Sequence, residues 1–73
     1  MYKATFVIEH DDFGFYVYCP ELPGCQSHGK TVEESIHNIH EAAELYLETL
    51  TQDERMLYLS KEILTGSVEI KVG

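Results

Sequence analysis

The stretch from Cys19 to Leu47, CPELPGCQSHGKTVEESIHNIHEAAELYL, decides the fold of this chain. It opens on a turn in which Pro20 and Pro23 fix φ and lack backbone donors, while Gly24 tolerates conformations that other residues resist. A further break at Gly29 comes just before a helix-start signal. The stretch therefore predicts a strand end, a chain reversal and a helix start within about a dozen residues.

The helix-start signal is a capping box formed by Thr31 and Glu34. In this motif the hydroxyl and the carboxylate accept hydrogen bonds from amide groups that the first helical turn leaves unpaired. The helix is predicted to run from Val32 to about Leu50, because apolar residues recur there at three- and four-residue steps. That apolar stripe consists of Val32, Ile36, Ile39, Ala43, Tyr46, Leu47 and Leu50.

Two segments before this stretch alternate between two sets of side chains, as strands do. Residues 2–9 place Ala4, Phe6 and Ile8 on one face, and residues 13–19 alternate in the same way. A polar turn at residues 10–12 separates them, so an antiparallel hairpin is predicted. Residues 25–28 leave room for a short third strand.

The chain after the long helix predicts two further elements. Thr51 and Glu54 repeat the capping-box spacing, which indicates a short second helix ending at Gly66. Residues 67–72 alternate apolar and charged side chains and predict a last strand. The expected fold is α+β with the order β-β-β-α-(α)-β, in two layers, with the main helix covering one sheet face. Because the first two strands carry apolar residues on both faces, we expect a homo-oligomer, a dimer or tetramer, to cover the other face.

Size and charge narrow the classes of function. Seventy-three residues form one domain, 1–73, near the size at which additional contacts are needed for stability. Thirteen acidic and five basic residues give a net charge of −8, which repels nucleic acids and attracts basic proteins. No direct nucleic-acid binding is expected.

The compartment follows from what the sequence lacks. No segment resembles a signal peptide or reaches the ~20 apolar residues of a membrane span, so a cytoplasmic protein without membrane contact is expected. In that compartment Cys19 and Cys25 are expected to remain thiols.

Candidate catalytic and metal sites are weak. His37, His40, Glu41 and Glu44 have the spacing of possible zinc ligands on one helix, but a solvated acidic face explains them better. The spacing of Cys19, Cys25 and His28 matches no zinc or redox motif.

Because no nucleotide-binding or hydrolase motif occurs, we expect neither enzymatic activity nor a cofactor. The aromatic residues could stack on RNA bases, but they lack interleaved cations, and core packing with a protein interface is favoured.

The turn, the cap and the helix body together resemble the N-terminal domain of the HicB antitoxin family. The matching residues are Pro20, Leu22, Pro23, Gly24, Cys25, Gly29, Thr31, Glu33, Glu34, Asn38, Ile39, Glu41 and Ala42. Ser35 stands where the family often has alanine. The resemblance implies a partial ribonuclease-H-like or double-stranded-RNA-binding-like sheet. It also implies an antitoxin that binds and masks a small, basic, RNA-cleaving HicA-like toxin.

Acidic side chains are the natural contacts for such a basic partner. The predicted contact residues are Asp11, Asp12, Glu21, Glu33, Glu41, Glu44 and Glu48, and the structural turn and cap residues are Pro20, Pro23, Gly24, Gly29, Thr31 and Glu34. The alternative is a stand-alone oligomeric protein that binds a ligand or a metal and has no antitoxin activity.

Overall fold

A computed structural model describes residues 1–73 and confirms an α+β fold, in which a three-stranded antiparallel sheet precedes two helices. The strands lie side by side in the order β1, Val7–Asp11; β2, Gly14–Tyr18; and β3, Gln26–Gly29. The helices are α1, Val32–Glu48, and α2, Gln52–Leu59. The predicted order is therefore correct as far as the second helix.

The hairpin between β1 and β2 is tighter than the sequence suggested. Asp11 pairs with Gly14 across a two-residue loop, so His10 and Asp11 extend β1 instead of forming the predicted turn. The Asp11 carboxylate accepts a 2.8 Å hydrogen bond from the backbone N–H of Phe13, which fixes the reversal. Gly14 has φ of 127°, a conformation that side chains disfavour.

The connection from β2 to β3 folds back on itself and buries a leucine. The N–H of Cys19 donates to the carbonyl of Cys25, and the N–H of Leu22 donates to the carbonyl of Cys19, at 3.0 and 3.1 Å. Gly24, with φ of 81°, takes the left-handed position of this connection. Leu22 is only 1% exposed, so the Pro/Gly turn contributes directly to the core.

Helix α1 packs on β2 and β3 and closes the core from one side. The fully buried cluster consists of Val17, Cys19, Leu22, Cys25 and Ile39. At the start of α1, the Thr31 hydroxyl accepts a 3.0 Å hydrogen bond from the N–H of Glu34. Ser35 is completely buried where this first turn meets the end of β3, and its hydroxyl donates to the carbonyl of Val32 at 2.7 Å.

Helix α2 is attached to the body by Arg55 and by Tyr58 and Leu59, which pack against the buried cluster. A reciprocal capping box of Thr51 and Glu54 starts the helix, as predicted. Arg55 then donates from Nε to the carbonyl of Leu47, near the end of α1, at 2.7 Å. Its guanidinium also lies 5.6 Å from the centre of the Tyr2 ring. Arg55 thus links both helices to the N-terminal segment.

The two predictions for the C-terminal part of the chain are wrong. The second helix ends at Leu59 and does not reach Gly66, and residues 67–72 form no strand. A strand needs a hydrogen-bonded neighbour, and this segment has none within the chain. Val68, Ile70 and Val72 accordingly remain 80%, 77% and 89% exposed.

Candidate functional site

Helix α1 presents a continuous acidic face to solvent. Glu33, Glu41, Glu44 and Glu48 follow one another at steps of eight, three and four residues, which places them on one side of the helix. All four are exposed, and they span about 22 Å along the axis. We call these four glutamates the acidic face. Four of the predicted contact residues thus lie on one surface.

Two histidines lie within the acidic face, each beside a glutamate one turn further on. His37 Nε2 is 3.3 Å from a carboxylate oxygen of Glu41, and His40 Nδ1 is 2.8 Å from one of Glu44. A histidine adds positive charge only when it is protonated, and α1 contains no lysine or arginine. The acidic face therefore lacks a permanent cation of its own.

The hairpin tip forms a second acidic surface, with an aromatic ring at its end. Asp11 and Asp12 are exposed there, and Phe13 is 98% exposed. A shallow cleft of about 250 Å³ runs from Asp11 and Phe13 to Gly29 at the end of β3. Because α1 begins just after Gly29, the tip lies toward the end of the molecule from which the acidic face starts. The exposure of Phe13 was not foreseen, because alternation assigned it to a strand.

The remaining predicted contact residue, Glu21, is not on the surface. It is 4% exposed, and its Oε2 accepts a 2.8 Å hydrogen bond from the backbone N–H of Thr5, while Oε1 is buried without a partner. This carboxylate holds the N-terminal segment against the β2–β3 connection. Its position makes Glu21 a structural residue and removes it from the surface that a partner can touch.

The two cysteines are packed in the core, and their thiols are poorly reactive. Burial and the neighbouring Cys25 thiol raise the pKa of Cys19 to about 12, and burial also raises the pKa of Cys25. Both are free thiols. Because the thiolate is the reactive form, both side chains are poor nucleophiles at neutral pH.

An apolar groove lies between the N-terminal segment and α1. It encloses about 580 Å³, and nine of the twelve residues that line it are hydrophobic. One wall carries Tyr2, Ala4 and Phe6, and the other carries Ile36, Ile39, Ala43 and Leu47. We call it the N-terminal groove. The alternation of residues 2–8 did reveal the apolar side chains, but it could not show that a groove remains between residues 2–6 and α1.

The sheet face that points away from α1 is also uncovered. Cross-strand pairing places Val7 beside Tyr18 and Tyr16 beside His28 on this face. The Tyr16 hydroxyl donates a 2.9 Å hydrogen bond to the side-chain oxygen of Gln26, and the rings of Tyr16 and Tyr18 are 5.6 Å apart. The face is therefore aromatic with polar edges, and it carries no lysine or arginine.

The structure shows neither a cluster of metal ligands nor a membrane-spanning helix. No group of three or more histidine, cysteine, aspartate or glutamate side chains is arranged to hold a metal ion, the His37 and His40 region included. Neither α1 nor α2 combines the length and the apolar character that a bilayer span requires.

Comparison with known proteins gives the family. A model described as the HicB_like antitoxin of bacterial toxin-antitoxin systems matches residues 4–69. This range includes the sheet, both helices and residues 60–69 that follow them. The chain therefore belongs to the HicB-like antitoxin family.

Curated relatives cover most of the chain. A UPF0150 protein of Helicobacter pylori is 44% identical over 64 residues, which are 88% of this chain and 89% of the relative. One from Archaeoglobus fulgidus is 38% identical over 97% of this chain and 99% of its own length. One from Synechocystis is 49% identical over 68% of this chain and 65% of its own length. No solved structure gives a significant match.

Proposed function

We propose that this protein is the antitoxin of a toxin-antitoxin pair and that it neutralises a small, basic, HicA-like RNA-cleaving toxin by covering its RNA-binding surface. Membership in the HicB-like antitoxin family is the observation that carries the proposal. An antitoxin that acts by masking needs no catalytic group, and the high pKa of Cys19 is consistent with a non-enzymatic role.

The charge distribution supports a basic partner. The net charge of −8 raises the rate at which a cationic protein encounters this one. The acidic face adds a local reason, because its glutamates form a row about 22 Å long on a rigid helix. A surface that binds RNA is itself rich in lysine and arginine, so its positive charges would find carboxylates along α1.

The hairpin tip completes the proposed contact surface. Phe13 is exposed beside Asp11 and Asp12, so an apolar ring is flanked by two negative charges. Buried aromatic side chains often dominate the binding energy of protein interfaces, whereas isolated surface charges contribute little. We therefore assign Phe13 as an anchor and the six exposed acidic residues as groups that steer association; these six are Asp11, Asp12, Glu33, Glu41, Glu44 and Glu48.

Charge reversal at matched positions tests this assignment. The variant Glu41→Lys with Glu48→Lys reverses two charges on the acidic face, and the control Glu9→Lys with Glu62→Lys reverses two exposed charges elsewhere. Both variants have the same net charge of −4, since each reversal adds two to −8. Association with the purified toxin is measured by stopped flow or surface plasmon resonance at several salt concentrations.

The location of the charges should decide the outcome. We expect the acidic-face variant to associate about ten-fold more slowly, with a weaker salt dependence, and the control to be much less affected. Equal slowing in both variants would reject the acidic face as the docking surface. The broader proposal is tested by co-expression with a basic HicA-like reading frame encoded beside this gene. If the two proteins do not co-purify and growth is not rescued, the antitoxin assignment for that pair is rejected.

A further inference from the structure

The C-terminal segment, residues 60–73, lies apart from the rest of the molecule. It forms no helix or strand, and nearly all of it is exposed. The molecule is 49 Å long, and its radius of gyration is 14.3 Å, whereas a compact chain of this length has about 11 Å. An extended segment with this much exposed apolar surface has little to hold it in place within a single chain.

The sequence of this segment nevertheless has the pattern of a half-buried strand. Val68, Ile70 and Val72 would share one face, with Glu69 and Lys71 on the other. Such a strand requires a sheet edge to supply hydrogen bonds and an apolar surface to receive its side chains. Both are present elsewhere in the same molecule.

The sheet edge is that of β1. Strand β1 pairs with β2 on one side only, so its other side offers unpaired backbone groups. The apolar surface is the N-terminal groove, whose two walls are α1 and the segment that precedes β1. Phe6 lines this groove and is 43% exposed. No residue of β1 itself lines the groove, but a strand that pairs with the start of β1 and continues along residues 2–6 would place every second side chain toward it.

The groove also has a firmly held wall. The hydrogen bond from Thr5 to the buried Glu21 carboxylate fixes the N-terminal segment, and Arg55 lies against Tyr2. The site is thus preformed and needs no rearrangement before it receives a strand.

We infer that residues 67–72 of one chain form a fourth strand beside β1 of a second copy, with Val68, Ile70 and Val72 inserted into its N-terminal groove. The exchange is reciprocal and produces a two-fold symmetric dimer. In this dimer, the C-terminal segment that is unpacked in the single chain covers the apolar groove that the single chain leaves open. The inference does not depend on the proposed antitoxin function.

Disulfide trapping tests which chain occupies the groove. The variants are Phe6→Cys and Ile70→Cys, made as separate chains and mixed in equal amounts under mild oxidation. Glu69→Cys replaces Ile70→Cys in the control, because residue 69 faces away from the groove if residue 70 faces into it. Native Cys19 also lines the groove, so both pairs are repeated with Cys19→Ala to show that the cross-link joins residues 6 and 70. Cys25 is buried, and burial raises its pKa, so it reacts slowly.

We expect the Phe6→Cys chain to cross-link to the Ile70→Cys chain at least about ten-fold more efficiently than to the Glu69→Cys chain. The double variant Phe6→Cys with Ile70→Cys should form covalent dimers. If it instead forms an internal disulfide and stays at 8.4 kDa on a non-reducing denaturing gel, the segment folds back on its own chain and the exchange is rejected.

Light scattering provides a test without added cysteines. The full chain should have about twice the mass of 8.4 kDa at micromolar concentration, and Val68→Asp with Ile70→Asp should convert it to a monomer. The control Glu69→Ala with Lys71→Ala should remain dimeric. A monomeric full chain, with the groove empty or filled by a small apolar molecule, would overturn the inference, as would a dimer that the aspartate variant leaves unchanged.

Discussion

Gly29→Ala is the substitution for which the structure makes the sharpest prediction. A Cβ at this position would lie 2.6 Å from the backbone nitrogen of Ser35 and 3.0 Å from the carbonyl carbon of Glu34. Ordinary van der Waals contact begins at 3.4 Å, so β3 and the first turn of α1 must separate by about 0.8 Å. The atoms on both sides of this contact are backbone, and no side chain can move aside to relieve the clash.

The cost follows from the overpacking of a well-packed contact. Such changes cost about 1–3 kcal/mol, and we expect the upper part of this range because α1 carries the fully buried Ser35 at this point. A domain of 73 residues has roughly 4–11 kcal/mol of stability in total. With about 4–8 °C lost per kcal/mol, the melting temperature should fall by about 10–20 °C.

Two other glycines serve as controls, because they separate steric overlap from backbone conformation. Gly24 has φ of 81° with no atom within 4 Å of an added Cβ, so Gly24→Ala should cost about 1 kcal/mol from conformation alone. Gly66 has neither constraint, and Gly66→Ala should change stability by less than about 0.5 kcal/mol. Thermal unfolding followed by circular dichroism at one protein concentration ranks the three variants by melting temperature. If the melting temperature of Gly29→Ala equals or exceeds that of Gly24→Ala, close contact with α1 does not restrict the side chain at position 29.

Two further predictions concern titratable groups. The pKa of Cys19 is about 12, whereas an ordinary thiol has a pKa of 9.0. At pH 8, Cys19 in the folded protein should therefore react with Ellman's reagent about a thousand-fold more slowly than such a thiol. Rapid stoichiometric labelling without unfolding would contradict this. Hydrogen bonds from the backbone N–H and the hydroxyl of Thr51 lower the pKa of Glu54 below its ordinary value of 4.5. The ionised carboxylate therefore stabilises the fold above pH 4.5, and this stabilisation is lost as the pH falls through the lowered pKa. Glu54→Gln should therefore have a lower melting temperature than the wild type at pH 7, and the difference should shrink as the pH falls through the lowered pKa. A difference that is independent of pH would refute the charge effect.

Local signals in the sequence were sufficient for the elements between β1 and α2. Alternation predicted the first two strands, and the threonine caps predicted both helix starts, because these features depend on residues close to each other in the sequence. The first strand was predicted over residues 2–9 and is observed over Val7–Asp11, and the third was inferred only from the space left at residues 25–28. Thr51 and Glu54 satisfy each other's backbone groups without help from the rest of the chain. Such signals are readable before any tertiary contact is known.

Predictions that depended on distant partners were less accurate. The alternation of Val68, Ile70 and Val72 defines a face, but it does not say which edge the strand would join, and the single chain offers none beside it. The exposure of a charged side chain could not be read from its identity either, since Glu21 is buried by a bond to an amide sixteen residues away. The four glutamates of the acidic face are exposed, as their positions off the apolar stripe predicted, because helical spacing determines which residues share a helix face.

The position of Arg55 has a consequence for cooperativity. Helix α2 has eight residues, fewer than the roughly 12–15 that a helix needs to be even marginally stable alone in water. It persists because its capping box closes one end and because Tyr58 and Leu59 pack against the buried cluster. Arg55 also joins it to the carbonyl of Leu47 and the ring of Tyr2. We therefore expect α2, the end of α1 and the N-terminal segment to unfold locally as one unit, which would open the N-terminal groove at Tyr2.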